Sequence, residues 1–223
     1  MTLRNVKAAL VHKSNRLTTA PASEPVTTHE MRTHLRETST GLPDVEANAL
    51  IATAREWFED QIGVALINQS WTLTLDDWPL GPTEWWDGVR QGSINQMNGA
   101  SNIAVGFPRW PLSSVTSVTT YDTASNATVA DVSATFDIDA ASQPARMALK
   151  AGQGWPSATR SVNAISIVYV AGYGADATTV PSPMMRAVLQ IAAGLYSNRG
   201  DGCGMAADAS TTALINSYKK ARL

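Results

Sequence analysis

His29, Glu30 and His34 bring two imidazoles and a carboxylate into one short segment, the raw material of a hydrolytic zinc site. That chemistry needs the two histidines four apart on a helix, so that about 400° of rotation returns both to one ion. Here they are five apart, which separates them by roughly 140° around the axis, and the remaining histidine, His12, stands far upstream. No metal ligands are expected. Asp137 and Asp139 pair two carboxylates at strand spacing; both would share one face, usually the solvated one. With histidines confined to the first 34 positions and no nucleophile elbow, they have no triad to serve. Gly172-Tyr173-Gly174 follows a β-branched run but lacks the third glycine of a dinucleotide loop and runs on into Asp176, Thr178, Thr179 and a proline. No lysine follows a glycine-rich turn as a phosphate loop requires. The single cysteine, Cys203, supports neither an intrachain disulfide nor a cysteine-based zinc site, and the sequons at Asn68 and Asn126 are read as chance matches. The expectation is a chain with no catalytic, cofactor-binding or metal residues.

The elements around these residues are those of an ordinary globular protein. The chain has 223 residues, 44% hydrophobic and 16% charged, enough to bury a core without covalent staples. No apolar run reaches membrane-spanning length; the longest near the N-terminus is Ala8 to Val11, so neither a membrane span nor a secretory signal is expected. The net charge of −2 conceals a gradient. Residues 1–36 carry six Lys/Arg and two Asp/Glu, residues 37–140 three and fourteen, and residues 141–223 eight and three, giving +4, −11 and +5. An acidic middle repels a phosphate backbone, whereas basic ends suit an acidic partner or a neighbour's acidic middle; a plainly solvated surface is the alternative.

The strongest periodicity lies between Pro43 and Ile62. Ala47, Leu50, Ile51, Ala54, Trp57, Phe58 and Ile62 follow helical spacing, Asp44 and Glu46 complement the positive N-terminal end, and Gly63 supplies a left-handed stop. From Trp71 the period changes to two. Thr27 and Glu30 form a capping box for a short helix over 28–36. Residues 1–26 show little periodicity and are expected to be an arm. Short strands are expected near 71–76, 103–107, 115–121, 128–132, 136–139, 146–149 and 165–170, a mostly antiparallel β domain. A broadly apolar helix follows from Pro181 to Asn198, expected to pack on the Pro43–Ile62 helix through Val188, Leu189, Ala192 and Leu195. A last helix spans 207–222. The fold class is therefore α+β. Between Trp78 and Asn102 lies a long loop carrying Glu84, Trp85, Trp86 and Asp87; such tryptophans either anchor a partner or tuck under their own sheet.

In order along the chain, PASEPVTTHEMRTHLRE, LIATAREWFEDQIGVALINQSWTLTLDDWP, FPRWPLSSVTSVTTYD, FDID, GWP, VYVAGYG and VPSPMMRAVLQIAAGLYSNRG resemble the head-tail connector (adaptor) proteins of tailed bacteriophages, prophages and gene transfer agents. The closest group has a β domain inserted in a small helical bundle. The likeness covers roughly residues 20–223. It implies an arm over 1–26, a helical bundle from 27–65 and 175–223, and an inserted β domain over 66–174. It also implies a structural virion protein of the neck, assembled in the bacterial host cytoplasm. Such a protein forms a homo-oligomeric ring, expected to be a dodecamer, beneath the portal protein and offers a face to the stopper or tail-completion protein. DNA passes through its lumen without specific binding. The C-terminal segment of such adaptors engages the portal, which carries over here to Leu214, Ile215, Tyr218, Lys219, Lys220 and Arg222. The first 20 or so residues and the loop from Leu80 to Asn102 are longer than usual in the group, so their roles do not carry over. The rival readings are a carbohydrate-binding or other binding module using Trp85 and Trp86, and an enzyme with a cleft in the β domain.

Overall fold

The computed structural model describes residues 13–79, 85–86, 89–90, 104–198 and 209–218, with the backbone alone at 85, 86, 89, 90, 209, 210, 214 and 217. The chain forms two compact units, one of residues 20–69 and 171–223, the other of residues up to 19 and 70–170. The α+β reading holds, with antiparallel ladders throughout the β unit wherever register is defined.

The first unit is helical. α1 (Thr28–Leu35) starts at the capping box: the Thr27 hydroxyl accepts from Glu30 N at 3.2 Å and the Glu30 carboxylate accepts from Thr27 N at 2.8 Å. It ends at Arg36, which adopts a left-handed φ of 58°. α2 (Asp44–Ile62) begins after Pro43 and stops at Gly63, whose φ of 74° favours a residue without Cβ. α2 packs against α4 (Ser182–Ser197), with α1 against both, and α5 (Ala209–Tyr218) lies against α4 and α2. The buried stripe of α2 is Ala47, Ile51, Ala54, Phe58 and Ile62, facing Met184, Ala187, Val188, Ile191 and Ala192 of α4. Leu50, Trp57, Leu189 and Leu195 are half-buried at its flanks. The stripe of α2 widens on its other side: Arg55 and Glu59, each 100° beyond Ala54 and Phe58, are buried where Leu50 and Trp57 are not.

The second unit is built on a five-stranded sheet in the order β1-β2-β10-β6-β7, comprising β1 (Lys13–Thr19), β2 (Gln69–Leu75), β6 (Leu112–Tyr121), β7 (Ala127–Ala130) and β10 (Ile165–Ala171). β2 and β10 alternate strictly between buried and half-buried side chains. A second sheet orders β5 (Val105–Gly106), β9 (Arg146–Leu149) and β8 (Phe136–Asp139). Trp78 stacks on Trp155 with ring centroids 4.4 Å apart, and Phe136 lies against both. The Trp78 indole N–H donates to the Pro156 carbonyl at 2.8 Å.

Three expectations are corrected. Within the anticipated irregular arm over 1–26, Lys13–Thr19 is the edge strand β1. Its polar residues on both faces conceal the period of two. The long loop after Trp78 contains a two-stranded ladder, β3 (Trp85–Trp86) with β4 (Val89–Arg90); two-residue strands are too short to show a period. The expected strand over 128–132 closes at Ala130, because Asp131 accepts from Ala134 N at 3.0 Å and starts a single helical turn, α3 (Val132–Thr135).

Candidate functional site

Of the residues that first suggested chemistry, Glu30, Asp139, Gly172 and Gly174 have structural roles. Glu30 closes the capping box of α1, His29 is exposed, and His34 is half-buried. Among the described residues, no group of three His, Cys, Asp or Glu side chains is placed to hold a metal. Asp137 is exposed on β8, while Asp139 accepts from the Ser142 hydroxyl at 2.6 Å, Ser142 N at 3.1 Å and Arg146 Nε at 3.0 Å. These bonds, Ser142 foremost, hold its carboxyl at about 2. Gly172 and Gly174 serve a tight chain crossing instead of a phosphate cradle. Asn68 N donates to Gly174 O at 2.8 Å and Tyr173 N to Leu66 O at 3.2 Å. A Cβ on Gly172, whose φ is 150°, would sit 2.6 Å from Asn68 Cα.

The most unusual side-chain arrangement is a buried charge network absent from the sequence reading. Arg55 is 4% and Glu59 3% exposed. The Arg55 guanidinium donates through Nε to Glu24 at 2.8 Å and through Nη1 to Glu59 at 3.0 Å, with Glu56 at 3.4 Å from Nη2. The other Glu59 oxygen accepts from Leu66 N at 2.8 Å and from the Gln69 amide at 2.9 Å. Burial pushes the Glu59 carboxyl above its ordinary value, opposed by the Leu66 N–H and the Arg55 charge. One guanidinium thus joins residue 24 to α2, and one carboxylate joins α2 to the segment that leads into β2. The signal was present: Ile51, Arg55 and Glu59 are successive i, i+4 steps, so a buried Ile51 places the other two beside the core.

The residues carried over as portal contacts divide. Ile215 is 3% exposed and faces the helical unit's own core, beside Thr211, whose hydroxyl lies 3.1 Å from the Gln190 side-chain oxygen. Tyr218 is half-buried and its phenol raises the Tyr173 hydroxyl, after burial, which is the larger cause. The backbone of Leu214 lies within α5. Lys219, Lys220 and Arg222 lie outside the described residues, as do the side chains of Trp85 and Trp86. No helix among the described residues is long and apolar enough to cross a membrane.

No family model and no curated protein matches the chain. Solved structures do. A chain from the neck of an empty GTA particle computed with C6 symmetry superposes with a TM-score of 0.68 at 24% identity, covering 94% of this chain and 97% of that one. A chain from the neck of a native GTA particle computed with C12 symmetry gives 0.66 at 23% identity, over 94% and 97%. A chain from the virion of a native gene transfer agent (GTA) particle gives 0.65 at 24%, over 94% and 96%. At these identities the likeness is one of fold, and this chain has the fold of those three.

Proposed function

We propose that this protein is a structural component of the neck of a phage-like particle, a head-tail connector of the adaptor type. In this reading copies form a ring of twelve beneath the portal and join the DNA-filled capsid to the stopper or tail, while DNA passes through the lumen. The observation that carries it is the near-complete mutual coverage with a neck chain, 94% of one and 97% of the other, so that both compact units take part in the likeness. The acidic middle section suits a channel wall that must not grip phosphates. The portal contact is assigned to Tyr218 and to the cationic run Lys219, Lys220 and Arg222 that follows it in the sequence. Ile215 is buried in the unit's own core, so the proposed contact does not rely on it.

Electron microscopy of particles carrying a tagged copy of this chain tests the assignment. The tag is expected as a ring at the portal vertex; particles with the tag on the capsid shell or along the tail, or with none, would overturn it. Removing residues 219–223 should abolish attachment to the portal without loss of fold. Truncation from residue 208 would be a poorer test, because it also strips Ile215 and Thr211 from the helical core.

A further inference from the structure

The five-stranded sheet has two outer strands of opposite character. β1 overhangs its own core. Lys13, Asn15 and Leu17 stand opposite Leu75, Leu73 and Trp71, so they share the face on which those three are buried. Lys13 and Leu17 are nevertheless exposed. On the other face Ser14, Arg16 and Thr18 are exposed as well. β1 is regular from Lys13 to Leu17, with its register shift lying beyond. Its charged side chains are both basic.

At the far edge, β7 has the sequence Ala127-Thr128-Val129-Ala130, without a charge, a proline or a register shift against β6. Those are the devices that keep sheet edges from pairing. Val129 is 67% exposed. The hairpin bond from Asp122 N to Asn126 O sets the alternation of the ladder. It turns the N–H and C=O of Ala127 and Val129 outward, and those of Thr128 and Ala130 toward β6. Two carboxylates bracket this strand, Asp122 before it and Asp131 after it, and hydrogen bonds from Asn126 and from Ser133 and Ala134 respectively hold both below the usual carboxylate range. They remain charged in neutral solution.

We propose that the outer edge of β1 in one copy pairs with the outer edge of β7 in the next, so that the five-stranded sheet continues from subunit to subunit. The inference rests on the ring assembly proposed above and names its contact. Two different edges of one sheet make a heterologous, head-to-tail interface, the kind that closes a ring. Lys13 and Arg16 would meet the carboxylates flanking β7, whereas β1 against β1 would oppose like charges. Pairing satisfies the outward groups of Ala127 and Val129 and gives β1 a second neighbour besides β2, its one neighbour among the described strands.

Sheet continuity places Val129, opposite Thr119, on the face that carries Ser14, Arg16 and Thr18. The test uses assembled particles in which this chain carries Cys203→Ser and Val129→Cys with one of Ser14→Cys, Arg16→Cys or Thr18→Cys. Mild oxidation should produce a ladder of chain multiples on a denaturing gel for at least one pair, and none for Val129→Cys alone. Val129→Pro, which leaves the bonds to β6 intact, should abolish assembly of the ring while the isolated chain unfolds as before. Chain present at the portal vertex with no ladder from any pair, or a Val129→Pro ring of normal occupancy, would overturn the edge contact and leave the connector assignment standing. Absence of the chain from the vertex would overturn the assignment itself, and the contact with it.

Discussion

The two compact units solve the same problem in opposite ways. In the β unit no described charged side chain is buried: Asp122, Asp131 and Asp139 bind residues close by in sequence, while Phe107, Phe136, Tyr169 and Trp78 fill the interior. In the helical unit a guanidinium and a carboxylate lie inside, beside Phe58 and Ile62. Apolar packing tolerates many partners, but a buried charge accepts only the geometry that satisfies it. The helical unit should therefore fail at single charge deletions, and the β unit should absorb them.

Arg55→Ala offers the largest expected break. It takes from buried Glu59 the guanidinium that faces it, while the Leu66 N–H and the Gln69 amide still donate to its other oxygen, a loss of about 3 to 5 kcal/mol. Peptide-resolved hydrogen exchange should show faster exchange through α2 and residues 64–69, with β8 and β9 unchanged. Glu59→Gln keeps an acceptor for Leu66 and should cost less. It also has a pH signature. A carboxyl raised in the folded state favours folding most when protonated, so its stabilising share is present below the ordinary glutamate range and is lost as pH rises through the folded value. The glutamine variant should lose that slope in urea titrations at varied pH. An unchanged slope would mean that Glu59 carries no such strain.

Phe58→Ala and Trp57→Ala sharpen the map of the same helix. Phe58 is fully buried and should cost about 3 to 5 kcal/mol, whereas half-buried Trp57 should cost under about 2. Equal losses would place the stripe back on the Leu50–Trp57 flank.

That flank shows why the helices were legible in outline and not in detail. α2 and α4 have the apolar period, the proline start and, for α2, the glycine stop, each independent of the rest of the fold. Which side of the stripe widens depends on what faces it, and a reading that sends every charge to solvent cannot find Arg55 and Glu59. β2 and β10 were visible because each alternates between buried and half-buried side chains; β1 was not, because nearly all of its side chains are exposed. Of the candidate contact residues, Ile215 was carried over from the resemblance as a portal contact and is buried, because α5 folds onto α4 and α2. The Gly172 pair looked like half of a nucleotide loop, but its spacing serves a crossing of two backbones, which no local pattern records. Gly172→Ala should cost about 1 to 3 kcal/mol by forcing those backbones apart, read as a shift in urea midpoint.

The smallest effect belongs to the β unit and tests the comparison from its other side. Asp139 has a folded value of about 2, below the ordinary aspartate value of 3.8. A depressed carboxylate stabilises the fold above its unfolded pKa, and that share disappears as pH falls through the folded value, here between about pH 4 and 2. Asp139→Asn should leave the chain with slightly weaker protection of β8 and β9 at neutral pH and no further local loss on acidification through that window. Because Asp139 is solvated and bound only to Ser142 and Arg146 nearby, the change should stop at the 136–149 hairpin. Loss of protection reaching β2 or β10 would mean that the β unit, like the helical one, depends on a single charge for its packing.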